Sequence, residues 1–321
     1  MSATSQLTDF SDLYTDLQNR VRVTTGVTAT ANQAKRYINI ALHDMHVGFG
    51  EKFYWAERSA QLITHAQYTT GTVDVTQGSV TLTGNSTAWN TNNAFGVANM
   101  QVGGKFKVGG STVYEIATVT GDTAATLTTK YISDTESAAS YTYFEDEYAL
   151  DSDFLRPVDL QSFSDAAEII LISPHEFRRR YPRNNIPGRE RVATLITKDP
   201  SGDVNLRRRV RFFKPSSETR IIPYSFITNK LAVSSAGVLA TNLSADTDEP
   251  TVPLSYRHAI VMHALWHWYR DKKDDQRSKE VAAEWAGLME RIIGDTEIGS
   301  ARPQIRPRVS GYAGRARRTQ V

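Results

Sequence analysis

Apolar residues recur at helical spacing in the N-terminal part of the chain. The first helix is predicted over residues 8–21 and has one apolar face, formed by Phe10, Leu13, Tyr14, Leu17 and Val21. A capping box, Thr30-Ala-Asn-Gln33, predicts where the second helix begins, and Gly48 and Gly50 are expected to end it. Its apolar stripe consists of Ala34, Tyr37, Ile38, Ala41, Leu42 and Met45. A strand-like segment, residues 53–67, follows.

Helical spacing returns near the C-terminal end. One stripe, broadened by Trp266 and Trp268, consists of Leu254, His258, Val261, Met262, Leu265 and Tyr269. After a charged turn, a second helix presents Val281, Trp285, Leu288 and Ile292, with Gly294 near its end. This pair predicts an αα-hairpin that packs on the N-terminal helices as a small bundle.

Between these helical parts lies a segment with the composition of β-structure. Residues 68–144 are rich in Thr, Gly, Ser, Asn and Val, and their only basic residues are Lys105, Lys107 and Lys130. A turn at Gln77-Gly78 would place Val75 opposite Val80 and Val73 opposite Leu82, giving a ribbon with one apolar face. Further turns at Gly109-Gly110 and Gly121-Asp122 indicate several short strands, and therefore an inserted antiparallel β-barrel or sandwich.

The predicted fold class is α+β, with a helical bundle host domain, small β-hairpin elements, the inserted β module and an extended C-terminal arm. The domain bounds are 1–67, 68–147, 148–300 and 301–321. Strands are predicted at residues 168–172, 191–198, 206–213 and 219–227, the last two forming a hairpin that turns at Pro215–Glu218. Residues 241–253 form a polar loop with Asp246, Asp248 and Glu249.

Composition narrows the classes of function. The 321 residues are 40% hydrophobic and 22% charged, and contain no cysteine, which excludes disulfides, cysteine-ligated zinc and thiol nucleophiles. A net charge of +2 is too small for a dedicated nucleic-acid binder. No apolar run is long enough to span a bilayer, and the acidic N-terminus does not resemble a secretion signal, so synthesis in the cytoplasm is expected.

Motifs for catalysis or metal binding are weak. The segment VGGKFK lacks the spacing of a phosphate-binding loop, and no G-x-S-x-G motif is present. His263 and His267 have the i, i+4 spacing of metal ligands, but no Glu follows His263, so packed or surface histidines are favoured. The acids at 145–147 suit a solvated linker or a subunit salt bridge better than acid–base catalysis. No enzyme activity, cofactor or metal is predicted.

Arginines form two internal clusters, at 178–183 and 207–211. Phosphate contact is one interpretation, but bidentate pairing with carboxylates of a neighbouring subunit is favoured, and a solvated face remains the third. In a strand, alternate arginines of the second cluster share one face. The residues predicted to form inter-subunit salt bridges are Arg178, Arg179, Arg180, Arg207, Arg209 and Arg211.

The C-terminal segment is strongly basic. Residues 301–321 hold six arginines, no acid and no lysine, and two prolines that oppose helix formation, so an extended arm is expected. Disorder, a nucleic-acid tail and a peptide that orders on a partner are the three interpretations. Tyr312, Ile305 and the spaced prolines favour docking on a protein.

The order of these features resembles the head-to-tail adaptor (head-completion or connector) proteins of tailed bacteriophages, in the style of tail tubular protein A. Four stretches carry the resemblance: AKRYINIALHDMH with the helical pair before it, GTVDVTQGSVTLTGNSTAW with VGGKFKVGG, DEYALDSDFLRPVDL, and PLSYRHAIVMHALWHWYRDKKDDQRSKEVAAEWAGLMERI with its Arg/Pro tail. Their order, rather than any one sharp motif, gives the resemblance its specificity.

The resemblance implies a virion protein in the neck that forms a ring, commonly twelvefold, under the portal and extends the DNA channel. The C-terminal arm would dock on the portal, a tail or nozzle protein would follow, and the β module would project toward capsid or decoration proteins. DNA would be passing cargo, and no membrane is involved. The residues expected to contact the portal are Arg302, Ile305, Arg306, Arg308, Tyr312, Arg315, Arg317 and Arg318.

Two other functions compete. A tail or fibre protein could bind glycans or a cell surface through the β insert, with Trp89, Tyr141 and Tyr143 as aromatic platforms. A wall-degrading hydrolase would need two well-placed carboxylates, for which the sequence offers candidates but no motif.

Overall fold

The computed structural model describes residues 6–23, 27–160, 169–183, 185–198 and 207–300, and these form a mixed α+β protein. The helices are α1 (Phe10–Arg20), α2 (Thr28–Phe49), α3 (Pro174–Arg180), α4 (His258–Asp271) and α5 (Asp275–Ser300). The strands are β1 (Glu57–Thr64), β2 (Thr72–Val75), β3 (Thr81–Asn85), β4 (Lys105–Val108), β5 (Tyr114–Gly121), β6 (Ala124–Leu127), β7 (Glu136–Ala139), β8 (Tyr141–Phe144), β9 (Glu147–Ala149), β10 (Phe154–Leu160), β11 (Ile170–Leu171), β12 (Val192–Lys198), β13 (Arg207–Phe212), β14 (Arg220–Thr228), β15 (Ala232–Val233), β16 (Leu239–Ala240) and β17 (Glu249–Pro250).

The chain folds as two compact units. One comprises Met1–Glu57 with Lys230–Val321, and the other Arg58–Asn229. The first holds α1, α2, α4, α5 and the three-stranded sheet β16-β15-β17, and the second holds α3 and the other sheets. Strands β10 to β14 therefore share a unit with the inserted module, whereas residues 148–300 were predicted to form one domain with the C-terminal helices. None of the described helices has both the length and the apolar character needed to span a membrane.

Helix α4 is the centre of the helical unit. It packs against α1, α2 and α5, so residues from Ala259 to Leu265 are buried around its whole circumference. Of the predicted stripe, Val261, Met262 and Leu265 are buried, whereas His258 and Tyr269 are half-buried. Leu254 is exposed and lies in a short 3₁₀ turn, Leu254–Tyr256, that precedes the helix.

The ends of the helices follow the sequence signals in part. Helix α2 ends at Phe49 with Gly50 as its C-cap, as predicted, but Gly48 lies within the helix, and the predicted capping box is wrong. The helix already begins at Thr28, so Thr30 lies inside its first turn and its hydroxyl donates to the Val27 carbonyl. Helix α5 continues through Gly294 to Ser300.

The polar loop before α4 supplies hydrogen-bond acceptors for the first amides of α1. The amide N–H groups at the beginning of a helix lack intrahelical acceptors, and here Phe10 N donates to the Asp248 carbonyl (2.8 Å) and Ser11 N to the Asp246 carbonyl (3.0 Å). The buried Asp248 carboxylate in turn accepts from Ser244 and Ala245, and the Ser244 amide holds the pKa of Asp248 below its ordinary value. These acids therefore stabilise the fold.

Two sheets form the part of the second unit outside the insert, with orders β1-β14-β10 and β11-β12-β13-β9. The four predicted strands are present, but the predicted hairpin is wrong, since β13 and β14 belong to different sheets. Both edges of β13 are taken by β12 and β9. The chain then turns through Lys214, at φ 66°, and the buried Ser216, which bridges to Gly188.

The inserted module is one curled antiparallel sheet, a half-barrel with strand order β7-β2-β3-β6-β5-β4-β8. Its edge strands β7 and β8 are separated only by Ser140, so the sheet must curl for both to belong to it. Its apolar core consists of Val73, Val75, Leu82, Trp89, Met100, Phe106, Val108, Tyr114, Ile116, Ala125, Leu127, Tyr131, Tyr141 and Tyr143.

The register of the first hairpin is two residues away from the predicted one. Val75 faces Leu82 rather than Val80, although Gly78, at φ 78°, does lie in the turn. The amide of Gly78 instead donates to Tyr131, and the carbonyl of Val80 accepts from Leu127. These contacts with β6 and with the segment after it decide the register. A shift of two residues leaves Val73, Val75 and Leu82 on the apolar face.

Candidate functional site

Helix α3 presents three consecutive arginines on the surface. Ser173 caps the helix through its hydroxyl, which accepts from the Glu176 amide, and Pro174 occupies the first turn. The buried Phe177 anchors the helix, and the side chains of Arg178, Arg179 and Arg180 are exposed. Arg180 pairs with Glu176 one turn earlier, at 3.2 Å on the surface. Their guanidinium groups are thus accessible to the carboxylates of another subunit, with which they were predicted to pair.

Two arginines of β13, Arg209 and Arg211, have partners within their own chain. Arg211 Nε donates to Asp146 Oδ2 at 3.3 Å, and Arg209 Nη2 donates to the Glu147 carbonyl at 3.1 Å. Arg209 and Arg211 lie opposite Ala149 and Glu147 of β9, on one face of their strand as predicted. The side chain of Arg207 lies outside the described residues.

A buried ion-pair network joins the inserted module to the sheets beside it. Asp146, which is 4% exposed, accepts from both Arg183 Nε (2.7 Å) and Arg211 Nε (3.3 Å). Glu147 pairs with Arg183 and with Lys105 Nζ (3.2 Å). Lys105 lies on β4 of the module and is 1% exposed. The acids at the exit of the insert are therefore not a solvated linker, because they bind cations from three separate segments.

Lys105 completes this network from the module side. Its ammonium group donates to Glu115 Oε2 (2.9 Å) and to the Gly103 carbonyl (2.7 Å) in addition to Glu147. Burial lowers the pKa of Lys105, and the negative charge of Glu147 acts in the opposite direction. All three donor positions of the ammonium are thus used, which is what a buried lysine requires.

Glu145, the first of the three acids at the exit of the insert, has a raised pKa. Burial raises the pKa of its carboxyl group, although the Tyr143 hydroxyl, which donates to Glu145 Oε1 at 2.8 Å, acts in the opposite direction. Burial also raises the pKa of Tyr143 well above its ordinary value. Structural networks perturb pKa values as catalytic sites do, and this pair lies among the packed strands of the module and its neighbours.

Two histidines of α4 meet a carboxylate of α2. Asp44 Oδ2 lies 3.2 Å from His263 Nε2 and 2.9 Å from His267 Nε2. His263 is buried beside Trp266 and Trp285, in agreement with the sequence interpretation of histidines on a tryptophan-rich face. Burial lowers the pKa of His263, and its hydrogen bond with Asp44 acts against this.

No protein-family model matches this chain, and neither does any of the curated proteins compared with it. The arrangement of its own residues therefore carries the functional argument. The eight residues expected to contact the portal, Arg302 to Arg318, lie outside the described residues.

The aromatic residues considered for glycan binding lie inside the module. Trp89 is fully buried, and its Nε1 donates to the Tyr141 hydroxyl at 2.8 Å. Tyr141 and Tyr143 are also core residues. These rings therefore cannot stack against a sugar at the surface.

Sequence reasoning missed Lys105 and Asp44. Lys105 alternates with the core residue Phe106, so periodicity assigns it to the face of β4 away from the module core. There Lys105 pairs with Glu147, whose carboxylate also binds Arg183, and periodicity within β4 cannot reveal these partners. Asp44 is 219 residues before His263 and lies on an exposed part of α2, so no local pattern links it to the histidines.

Proposed function

We propose that this protein is a structural adaptor of the virion neck, forming a homo-oligomeric ring between the portal and the tail. It performs no catalytic step and extends the channel through which DNA passes as cargo. It is made in the host cytoplasm and becomes part of the particle. The proposal rests on the resemblance in the order of features and on the way the structure uses its charged residues.

The observation that carries the proposal is the buried network of Asp146, Glu147, Arg183, Arg211 and Lys105. All of them except Lys105 belong to clusters that the sequence singled out, and together they fix the inserted β module to the sheets beside it. Removing one member of a buried ion pair lowers the stability of the fold, because the other charge is left uncompensated. The intact network therefore favours one position of the module relative to the sheets. A protein that must present a module in a fixed position to its neighbours benefits from such an attachment.

The exposed arginines of α3 support the self-assembly part of the proposal. A closed ring uses heterologous contacts, in which one face of a subunit meets a different face of the next. Arg178, Arg179 and Arg180 offer guanidinium groups suited to bidentate pairing with carboxylates on such a face. In this proposal α1, α2, α4 and α5 form the helical bundle of the host domain.

The remaining partners follow from the same proposal. The arm, residues 301–321, docks on the portal, and the opposite side of the ring receives a tail or nozzle protein. The β module points toward capsid or decoration proteins. The near-neutral net charge of +2 suits a conduit, because a strongly basic channel would hold the DNA that has to slide.

Removal of the arm is expected to abolish binding to the portal. A chain of residues 1–300 keeps every described residue, so its circular dichroism spectrum and melting temperature should match those of the full chain. Co-sedimentation with purified portal rings should then recover the full chain and not the truncated one.

A second variant separates charge from length. Replacing the six arginines of residues 301–321 by glutamine keeps the arm at full length but removes its positive charge. Loss of co-sedimentation in both variants would support docking through arginine. If the chain of residues 1–300 sedimented with the portal as well as the full chain does, the docking proposal would be wrong.

A further inference from the structure

We propose that Asp44, His263 and His267 form a binding site for one divalent metal ion of the zinc class, between α2 and α4. This inference does not depend on the adaptor function. The three side chains come from two helices and are the only such group of ligands found among the described residues. Imidazole nitrogens and a carboxylate oxygen are ligands that Zn²⁺, Co²⁺ and Ni²⁺ accept.

The distances between the ligand atoms suit a tetrahedral ion. At metal–ligand bonds of about 2.0–2.1 Å, tetrahedral ligand atoms lie roughly 3.3 Å apart. Asp44 Oδ2 lies 3.2 Å from His263 Nε2 and 2.9 Å from His267 Nε2. One potential ligand atom from each of the three residues lies within 4.8 Å of the other two. Small side-chain rotations are therefore enough to place them around one ion.

The two imidazole rings are already oriented by aromatic neighbours. His263 stacks on Trp285 at a centroid distance of 4.3 Å and on Trp266 at 5.2 Å. His267 lies parallel to the ring of Tyr37, at 6.2 Å and an interplanar angle of 5°. Because both rings are held with Nε2 toward Asp44, binding an ion costs little conformational entropy.

The site is open on the side of Asp44. The side chain of Asp44 is 49% exposed, and it lines a surface depression of about 660 Å³ with Arg36, Asn39, His43 and Asn242. Three protein ligands leave the fourth position of a tetrahedral ion to water. Solvent access at Asp44 provides both the entry path and that water.

Binding of an ion would replace the hydrogen bonds between Asp44 and the two histidines with metal–ligand bonds. Without metal, the carboxylate oxygen of Asp44 accepts from Nε2 of both rings. An ion takes the lone pair of each Nε2, so the proton of each neutral ring resides on Nδ1. The result is a cross-link between α2 and α4, two helices already packed together, and binding should raise the melting temperature.

Titration of the full chain with Zn²⁺ tests this site. The protein should carry no affinity tag and should be freed of metal with a chelator that is then removed. Isothermal titration calorimetry is expected to give one Zn²⁺ per chain, and added Zn²⁺ is expected to raise the melting temperature. With Co²⁺, absorption bands of a tetrahedral complex should appear in the visible range.

The variants Asp44→Asn and His267→Gln each remove one ligand at a partly exposed position, so the fold should survive. Each is expected to weaken Zn²⁺ binding by at least roughly tenfold. The matched control is His175→Gln, which removes an exposed imidazole of α3, away from the cluster. It should bind like the unaltered protein. If the unaltered protein binds no Zn²⁺, or if either ligand variant binds as tightly as the control, the three side chains form a hydrogen-bonded cluster only and the proposal fails.

Discussion

Replacing Asp146 with alanine is expected to lower the free energy of unfolding of its unit by about 3 kcal/mol. The carboxylate accepts from Arg183 and Arg211, at 2.7 and 3.3 Å, and its side chain is only 4% exposed. Without it, two guanidinium groups remain in a partly desolvated position with Glu147 as their shared acidic neighbour. The decrease in the free energy of unfolding therefore arises mainly from positive charge that is left without a matching carboxylate.

Hydrogen exchange should localise this effect. Amides of β9 and β13, which pair around Asp146 and Arg211, are expected to exchange faster in the variant, together with β4 and β8 of the module. Urea denaturation provides the magnitude. Asp16→Ala is the matched control, because Asp16 pairs with Arg20 at 2.9 Å on the surface of α1, where removal should cost less than about 1 kcal/mol. Equal losses in the two variants would mean that the network contributes no more than a surface pair.

Replacing Trp89 with alanine is expected to cost about 3–5 kcal/mol of stability. The indole is fully buried in the module, packs edge-on against Tyr141 at a centroid distance of 5.9 Å, and donates a hydrogen bond to its hydroxyl. The substitution leaves a cavity and removes a partner of the Tyr141 hydroxyl, which still donates to the Thr70 carbonyl. Denaturation followed by far-UV circular dichroism measures the loss.

This substitution also distinguishes the core role from the glycan-binding alternative. A tryptophan that serves as a sugar platform can be removed with little change in stability, because its ring is exposed. Phe95→Ala is the control, since Phe95 is an aromatic residue of the same module that is 60% exposed, and its removal should change stability by less than about 0.5 kcal/mol. A variant at Trp89 as stable as this control would place the indole at the surface.

The elements whose signals are local could be predicted from the sequence. The apolar stripe of α2 is buried at Ala34, Ile38, Ala41, Leu42 and Met45, because 3.6-residue periodicity alone determines which side chains share a face. The strand character of residues 68–144 was likewise predictable from composition. The same reasoning identified the turn at Gly78, where a positive φ favours glycine.

Features that depend on distant segments could not be predicted. The register of the first hairpin is decided by contacts of Gly78 and Val80 with Tyr131 and Leu127. The predicted β13–β14 hairpin failed because β9 and β12 occupy both edges of β13. Turn residues indicate where the chain reverses, but they do not determine which strand a segment pairs with.

In the candidate sites too, the local pattern predicted which side chains share a face, but it did not predict their partners. Arg209 and Arg211 share a face, as strand periodicity predicts, but their partners come from the exit of the insert. A cluster of arginines in a sequence predicts pairing with carboxylates. It does not show whether those carboxylates belong to the same chain or to another subunit. The convergence of Asp44 with His263 and His267 is a property of how α2 packs on α4, and only the structure provides it.

Electron microscopy of purified portal rings mixed with this protein tests the adaptor proposal most directly. We expect an additional ring of density beneath the portal, coaxial with it, with an open central channel and with a β module on each subunit. The ring should be present with the full chain and absent with residues 1–300. Portal rings that remain bare at saturating concentrations of the full chain would contradict the account.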